Sequence, residues 1–155
     1  MIGIFGFIPK KKMRLSDSEV LCGRFLKSFP EGQYVTQHYT SEFGSLGLCG
    51  HANDSFHSFF VDAKNGIIAS FVGEIFNLKK LTLEVGLKPL ENAAELIAQL
   101  YLKSSLLRLS EANGLFCAGV LDTRRQAQIL ITDRYASFQV HFYEGVNRTT
   151  FSTSI

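Results

Sequence analysis

The hydrophobic pattern switches between strand-like and helix-like periods along the chain, and the order of those switches restricts the fold more than any other feature. Residues 1–8 form an apolar, glycine-rich run that ends at Pro9, the pattern of a buried strand. A helix is expected next. Ser16 and Glu19 have the spacing of a capping box, Val20, Leu21, Phe25 and Leu26 share one helical face, and Pro30 closes the segment. Strand signals then run from Gln33 to Val72, at 34–39, at 45–50 and in a hairpin within 56–72. The turn of that hairpin, Lys64-Asn65-Gly66, is expected to reverse tightly with positive φ angles at Asn-Gly. The middle is helical: Asn92 and Glu95 fit an N-terminal cap, and Ala93, Leu96, Ile97 and Leu100 recur at helical spacing. A shorter helix is expected at 106–112, before Asn113-Gly114. Strands follow at 115–121, 127–133, 138–143 and 149–154, joined as a meander by turns at Asp122-Thr123-Arg124-Arg125 and Glu144-Gly145. In 138–143 the alternation sets Phe138, Val140 and Phe142 against Gln139, His141 and Tyr143.

Each sheet must bury a face and each helix must cover one, so two antiparallel sheets with helices outside satisfy this order. The expected fold is an α+β sandwich in one domain spanning residues 1–155. Hydrophobic residues at 46% supply a core, and charged residues at 19% fall short of a disordered chain. A net charge of +2 does not indicate nucleic acid, and the basic cluster Lys10, Lys11, Lys12 and Arg14 reads as a solvated loop. Cys22, Cys49 and Cys117 are odd in number and lack CxxC spacing, which points to reduced, buried thiols rather than disulfides or a zinc site. His38, His51, His57 and His141 show no metal-ligand spacing, so no metal is expected. No apolar run is long enough to span a membrane and the N-terminus lacks the order of a secretory signal, so the expected location is the cytoplasm.

Five short segments, in order, resemble the N-terminal glutaminase domain of the asparagine synthetase family, a class II glutamine amidotransferase. Gly73-Glu74-Ile75-Phe76-Asn77 resembles the family's Asn-Gly-Glu-Ile-Tyr-Asn motif, and Met1-Ile2-Gly3-Ile4-Phe5-Gly6-Phe7 is similar to its start, Met-Cys-Gly-Ile-x-Gly-Phe. Gly114-Leu115-Phe116-Cys117-Ala118 with Leu121-Asp122 resembles Gly-Met-Phe-Ala-Phe-Ala-x-x-Asp. Asp133-Arg134-Tyr135 matches Asp-Arg-Phe, and the C-terminal Phe151-Ser152-Thr153-Ser154-Ile155 resembles Phe-Ala-Ser-Glu-Ile. The segment Glu95-Leu96-Ile97-Ala98-Gln99-Leu100-Tyr101 also resembles the helix after the family's acidic substrate-binding motif. The resemblance implies the four-layer αββα fold of N-terminal-nucleophile hydrolases.

It also implies a chemistry whose residues are missing. The family's nucleophile is a Cys exposed by removal of the initiator Met; its thiolate attacks the glutamine amide with the α-amine as base. Here Ile2 stands at that position and can neither attack nor carry a proton. The family's oxyanion-stabilising Asn falls at Val72, which has no donor, while Gly73 keeps a backbone N–H. The Arg that clamps the substrate carboxylate has no counterpart, since Ser28 to Ala63 contains no Arg or Lys. The Asp that holds the substrate ammonium falls at Ala93. Gly73 and Glu74 remain as a vestigial substrate-binding pair.

The resemblance therefore implies a catalytically inactive glutaminase-like domain of an amide-forming ligase, kept for structural or regulatory contact with a synthetase domain in cis or trans. ATP and magnesium belong to that attached domain, and no cofactor is expected in this chain. The alternative is a stand-alone pseudo-glutaminase that binds a small amino compound or a protein partner. A third reading, an active glutaminase with an unrecognised nucleophile, has no residue to support it. A homodimer stays open, as do the substrate of any attached synthetase and whether the native protein continues beyond Ile155.

Overall fold

The computed structural model describes residues 3–27, 34–53, 55–88, 90 and 92–153. In chain order these form β1 (Gly3–Pro9), α1 (Leu15–Leu26), β2 (Tyr34–Ser41), β3 (Gly44–His51), β4 (His57–Asp62) and β5 (Ile67–Ile75). There follow α2 (Leu78–Glu84), α3 (Ala93–Leu102), a 3₁₀ turn (Leu106–Glu111), β6 (Gly114–Asp122), β7 (Ala127–Thr132), β8 (His141–Glu144) and β9 (Arg148–Ser152). Two antiparallel sheets result, ordered β2-β3-β1-β9-β8 and β4-β5-β6-β7. They stack face to face, with α1 against β2 and β3 and α3 against β4, β5 and β6. The expected sandwich of two antiparallel sheets with helices outside is the observed one. Among the described residues, no helix is long and apolar enough to cross a membrane.

Strand alternation divides the core. On β5 and β6, Ile67, Ala69, Phe71, Phe116, Ala118 and Val120 meet α3, which answers with fully buried Leu96, Ile97 and Leu100. Burying each such leucine or isoleucine stabilises the fold by roughly 1.5–3 kcal/mol. The alternate residues Ile68, Val72, Cys117 and Leu121 face the other sheet, where they meet Ile4, Leu46, Leu48 and Phe151. The start of α3 is fixed as the sequence predicts: the Asn92 side chain accepts from the Glu95 amide (3.1 Å). Ser58 of β4 accepts a second α3 amide, that of Ala94 (3.1 Å).

Several expectations need correction. The Ser16–Glu19 capping box does not form, because α1 starts at Leu15 with Arg14 as its cap and Ser16 already inside the helix. Asp17 supplies first-turn negative charge and pairs with Arg14 (3.0 Å) instead. The β4–β5 connection is a longer loop over 63–66 in which Gly66 alone has positive φ (66°) and Asp62 caps the turn by accepting from the Asn65 amide (3.0 Å). Residues 106–111 wind as 3₁₀ helix rather than α-helix. The C-terminal strands are not one meander: β7 lies at the edge of one sheet and β8 at the edge of the other. Residues 133–140 carry the chain across, so β8 begins only at His141. Phe138 and Val140 pack on the interlayer core, but Phe142 stays largely exposed with its ring 6.5 Å from that of Phe151. Pro30 and Ser154 lie outside the described residues. The short helix α2 was not expected; Leu78, Leu81 and Val85 carry its spacing, a weak signal in so few residues.

The β5–β6 pair ends in a close backbone approach. Gly73 lies opposite Phe116 and Ile75 opposite Gly114. A Cβ on Gly73 would stand on the Leu115 carbonyl oxygen, and one on Gly114 would stand on the carbonyl oxygen of Glu74. Gly73 also has φ +103°, which disfavours any L side chain. Gly73→Ala should therefore destabilise the protein by about 3 kcal/mol in equilibrium urea unfolding. Gly23→Ala, in α1 with nothing within 4 Å of the added Cβ, should be neutral or stabilising by about 0.5–1 kcal/mol.

Candidate functional site

The C-terminal end of β5 carries the residues singled out in the sequence, and the structure separates them. Val72 is fully buried and faces the interlayer core, in one cluster with Ile4 of β1 and Cys117 of β6. The start of β1 and the end of β5 thus meet across the two sheets. Ile2 itself lies outside the described residues. Gly73 and Glu74 stand at the surface between two clefts.

The first cleft has a volume of ≈ 410 Å³ and brings Gly73 and Glu74 together with His57 and Ser58 of β4 and with Asn92 and Ala93 at the start of α3. Glu74 and Ala93, far apart in the chain, line the same cleft. No Lys or Arg lines it, so it offers no fork for a substrate carboxylate among the described residues. The Gly73 N–H is not free for an oxyanion: it donates to the Phe56 carbonyl at 2.7 Å. The Gly73 N–H is thus engaged in holding the chain before β4. Glu74 is exposed, and its carboxylate makes no hydrogen bond or ion pair with a described residue. His57 and Ser58 carry no motif signal, and their place beside Glu74 follows from the pairing of β4 with β5, while Asn92, legible in the sequence only as a helix cap, is brought there by the packing of α3 on those strands.

The second cleft, ≈ 350 Å³, is lined by Phe56, Phe76, Leu115 and Phe138 with Glu74 and Ser137. Its walls are fixed by backbone bonds. Phe76 donates its N–H to the Asn113 carbonyl (2.7 Å), and Asn77 accepts from the Asn113 amide (2.8 Å) while donating to the Glu111 carbonyl (3.0 Å). Asp133 ties down the chain that leads into the crossover. Its carboxylate accepts from the amides of Phe116 (3.2 Å), Tyr135 (2.8 Å) and Ser137 (3.1 Å) and from the Ser137 hydroxyl (3.1 Å). Burial of the Asp133 carboxyl opposes ionisation, yet these donors together outweigh it and hold the group below the usual carboxylate range. Asp122 is a second such clamp, accepting from the Tyr101 hydroxyl (2.8 Å) and the amides of Arg124 and Arg125 (2.9 Å each).

The three cysteines are free and buried, as the sequence suggested, and none lines the first cleft. Burial pushes the Cys49 thiol up, and burial with the nearby Asp133 charge pushes Cys117 up to about 12. A thiol at that value is thiolate in only about one part in 10⁵ at neutral pH, too little for a nucleophile. His38, His51 and His141 are exposed on separate strands, while His57 is half-buried. Among the described residues, no three His, Cys, Asp or Glu side chains gather as metal ligands. The basic cluster is partly neutralised, with Lys10 on Glu144 (3.0 Å), Lys12 on Glu42 (2.7 Å) and Arg14 on Asp17 (3.0 Å).

No protein-family profile matches the chain, and no curated protein matches it. The resemblance to the amidotransferase domain rests on the quoted motifs.

Asp133 sets a pH dependence. Because its folded pKa lies below its unfolded one, its contribution is complete above the unfolded value of about 4 and is lost as pH falls through the folded value. The unfolding free energy should decline below about pH 4, and Asp133→Asn should lower it by about 2 kcal/mol at pH 7 while flattening the acid decline. Urea denaturation at several pH values reads both effects.

Proposed function

We propose that this chain is a catalytically inactive glutaminase-like domain, of the αββα N-terminal-nucleophile hydrolase type, from an asparagine-synthetase-related amide-forming ligase. The observation that carries the reading is the first cleft. Positions matched separately to the family's substrate-binding motifs, Gly73-Glu74 and Ala93, line one cavity at the end of β5, and the chemistry those motifs serve lacks its side chains there.

The reaction would need a nucleophile, an oxyanion donor and a clamp for the substrate carboxylate. Ile2 stands at the nucleophile position, and the buried cysteines do not replace it. Val72 has no donor and the Gly73 amide serves Phe56; absence of one such donor costs about 3 kcal/mol of transition-state stabilisation. Ala93 replaces the carboxylate that would hold an ammonium. A ligase whose synthetase domain takes its amine from elsewhere has no need for these groups, and the sandwich is then retained for its contact with that domain. ATP and magnesium act in the synthetase domain. A stand-alone module binding a small amino compound is the second reading, favoured by the exposed Glu74 carboxylate, which pairs with no described residue.

Incubation of the purified chain with glutamine, followed by measurement of glutamate, tests the proposal. Glutamate release should not exceed that of buffer alone. Enzyme-like release that is proportional to protein and saturates with glutamine would overturn it.

A further inference from the structure

The second cleft shares Gly73 and Glu74 with the first, but its aromatic wall has no part in the glutaminase reading. Its walls leave large apolar groups in water: Phe56 is 47% exposed, Phe76 62% and Leu115 50%. Exposed apolar surface gathered around a concavity of ≈ 350 Å³ is the character of a ligand site rather than of ordinary protein surface. Among the described residues, Glu74 is the sole charged one in the lining. The faces of Phe56, Phe76 and Phe138 carry the negative side of their quadrupoles, and the carboxylate adds a full negative charge. Both attract a cation and repel an anion. A purely apolar ligand would strip water from the carboxylate without giving it a partner, at a cost that offsets the apolar contact.

We propose that this cleft binds a small organic cation, an ammonium group on an apolar body, with the ammonium against Glu74 and the body among the phenylalanine rings. The site is built before the ligand arrives. Phe56 is held by the Gly73 amide, Phe76 by the Asn113 carbonyl, and Ser137 and Phe138 by the Asp133 clamp, so little ordering is left to oppose binding. The inference deepens the second reading above, a module that binds a small amino compound, by naming the cleft and the ligand chemistry, and it does not depend on the glutaminase resemblance.

The test uses the full chain, ¹⁵N-labelled, titrated with 2-phenylethylammonium and separately with the neutral 2-phenylethanol and the anionic phenylacetate. The ammonium should shift the amides of Phe56, Phe76, Leu115 and Phe138 and saturate below about 10 mM. The alcohol should bind about tenfold more weakly and phenylacetate not at all. Glu74→Gln should weaken the ammonium about tenfold and leave the alcohol unchanged, and Phe76→Ala should weaken both. Both residues are exposed, and an unchanged thermal midpoint will show that each variant is folded. Failure to saturate, equal affinity for ammonium and alcohol, or indifference to Glu74→Gln would overturn the proposal. Shifts centred on Ser58, Asn92 and Ala93 would place the ligand in the first cleft and overturn it as well. A chain that neither releases glutamate nor binds the ammonium would leave the domain reading intact and sink this one.

Discussion

The close backbone approach of β5 and β6 at Gly73 and Gly114, each glycine set against a carbonyl of the opposite strand, shapes the end of β5 where the two clefts lie. Two carbonyl oxygens, of Leu115 and Glu74, occupy the places where side chains on those residues would begin. With both positions glycine, β5 and β6 stay paired through Ile75, and the chain turns there under the positive φ of Gly73. The turn sends Val72 into the interlayer core and Glu74 into solvent, within two residues. Both clefts depend on it, since Gly73 and Glu74 line each of them. The same turn aims the Gly73 amide at Phe56, which positions the segment before β4 and removes the donor from any oxyanion role.

Away from that contact, polar clamps hold the loops and apolar layers hold the sheets. Asp133 and Asp122 each gather amides from a loop that has no ladder of its own and tie it to β6, Asp122 from the strand's last residue and Asp133 through the Phe116 amide. A buried carboxylate in such a place is stable only because donors surround it. The exposed pairs Lys10–Glu144 and Lys12–Glu42 contribute far less energy, being open to water, but they reduce the free charge of the basic segment before α1.

Much of this was legible in the sequence because strong periodicity reports burial. Leu96, Ile97 and Leu100 mark α3, Asn92 marks its start, and the apolar runs of β5 and β6 suit strands that face a helix on one side and a sheet on the other. Where local pattern failed, tertiary packing had decided otherwise. Phe138 and Val140 alternate like a strand because both reach the core, yet they sit on a crossover between sheets. Ser16 had the spacing of a cap, but the Arg14–Asp17 pair lets the helix start earlier. The site was half legible. Motif matching pointed to Gly73, Glu74 and Ala93, which line one cleft, and Phe76 lies in the same motif as Glu74, whereas His57, Ser58, Phe56 and Phe138 come from segments that only the fold brings together. Nothing in one-dimensional spacing could have revealed that the Gly73 amide is engaged.

On the proposed reading this sandwich serves a synthetase domain rather than a reaction of its own, and the native assembly in the source cell distinguishes the two. The protein should be isolated under native conditions, its mass measured, and the polypeptides in the assembly identified by mass spectrometry. The expected species is well above the 17.3 kDa of this chain and contains an ATP-using synthetase domain either in the same polypeptide or as a stable partner. A 17.3 kDa species, free or associated only with copies of itself, would contradict it.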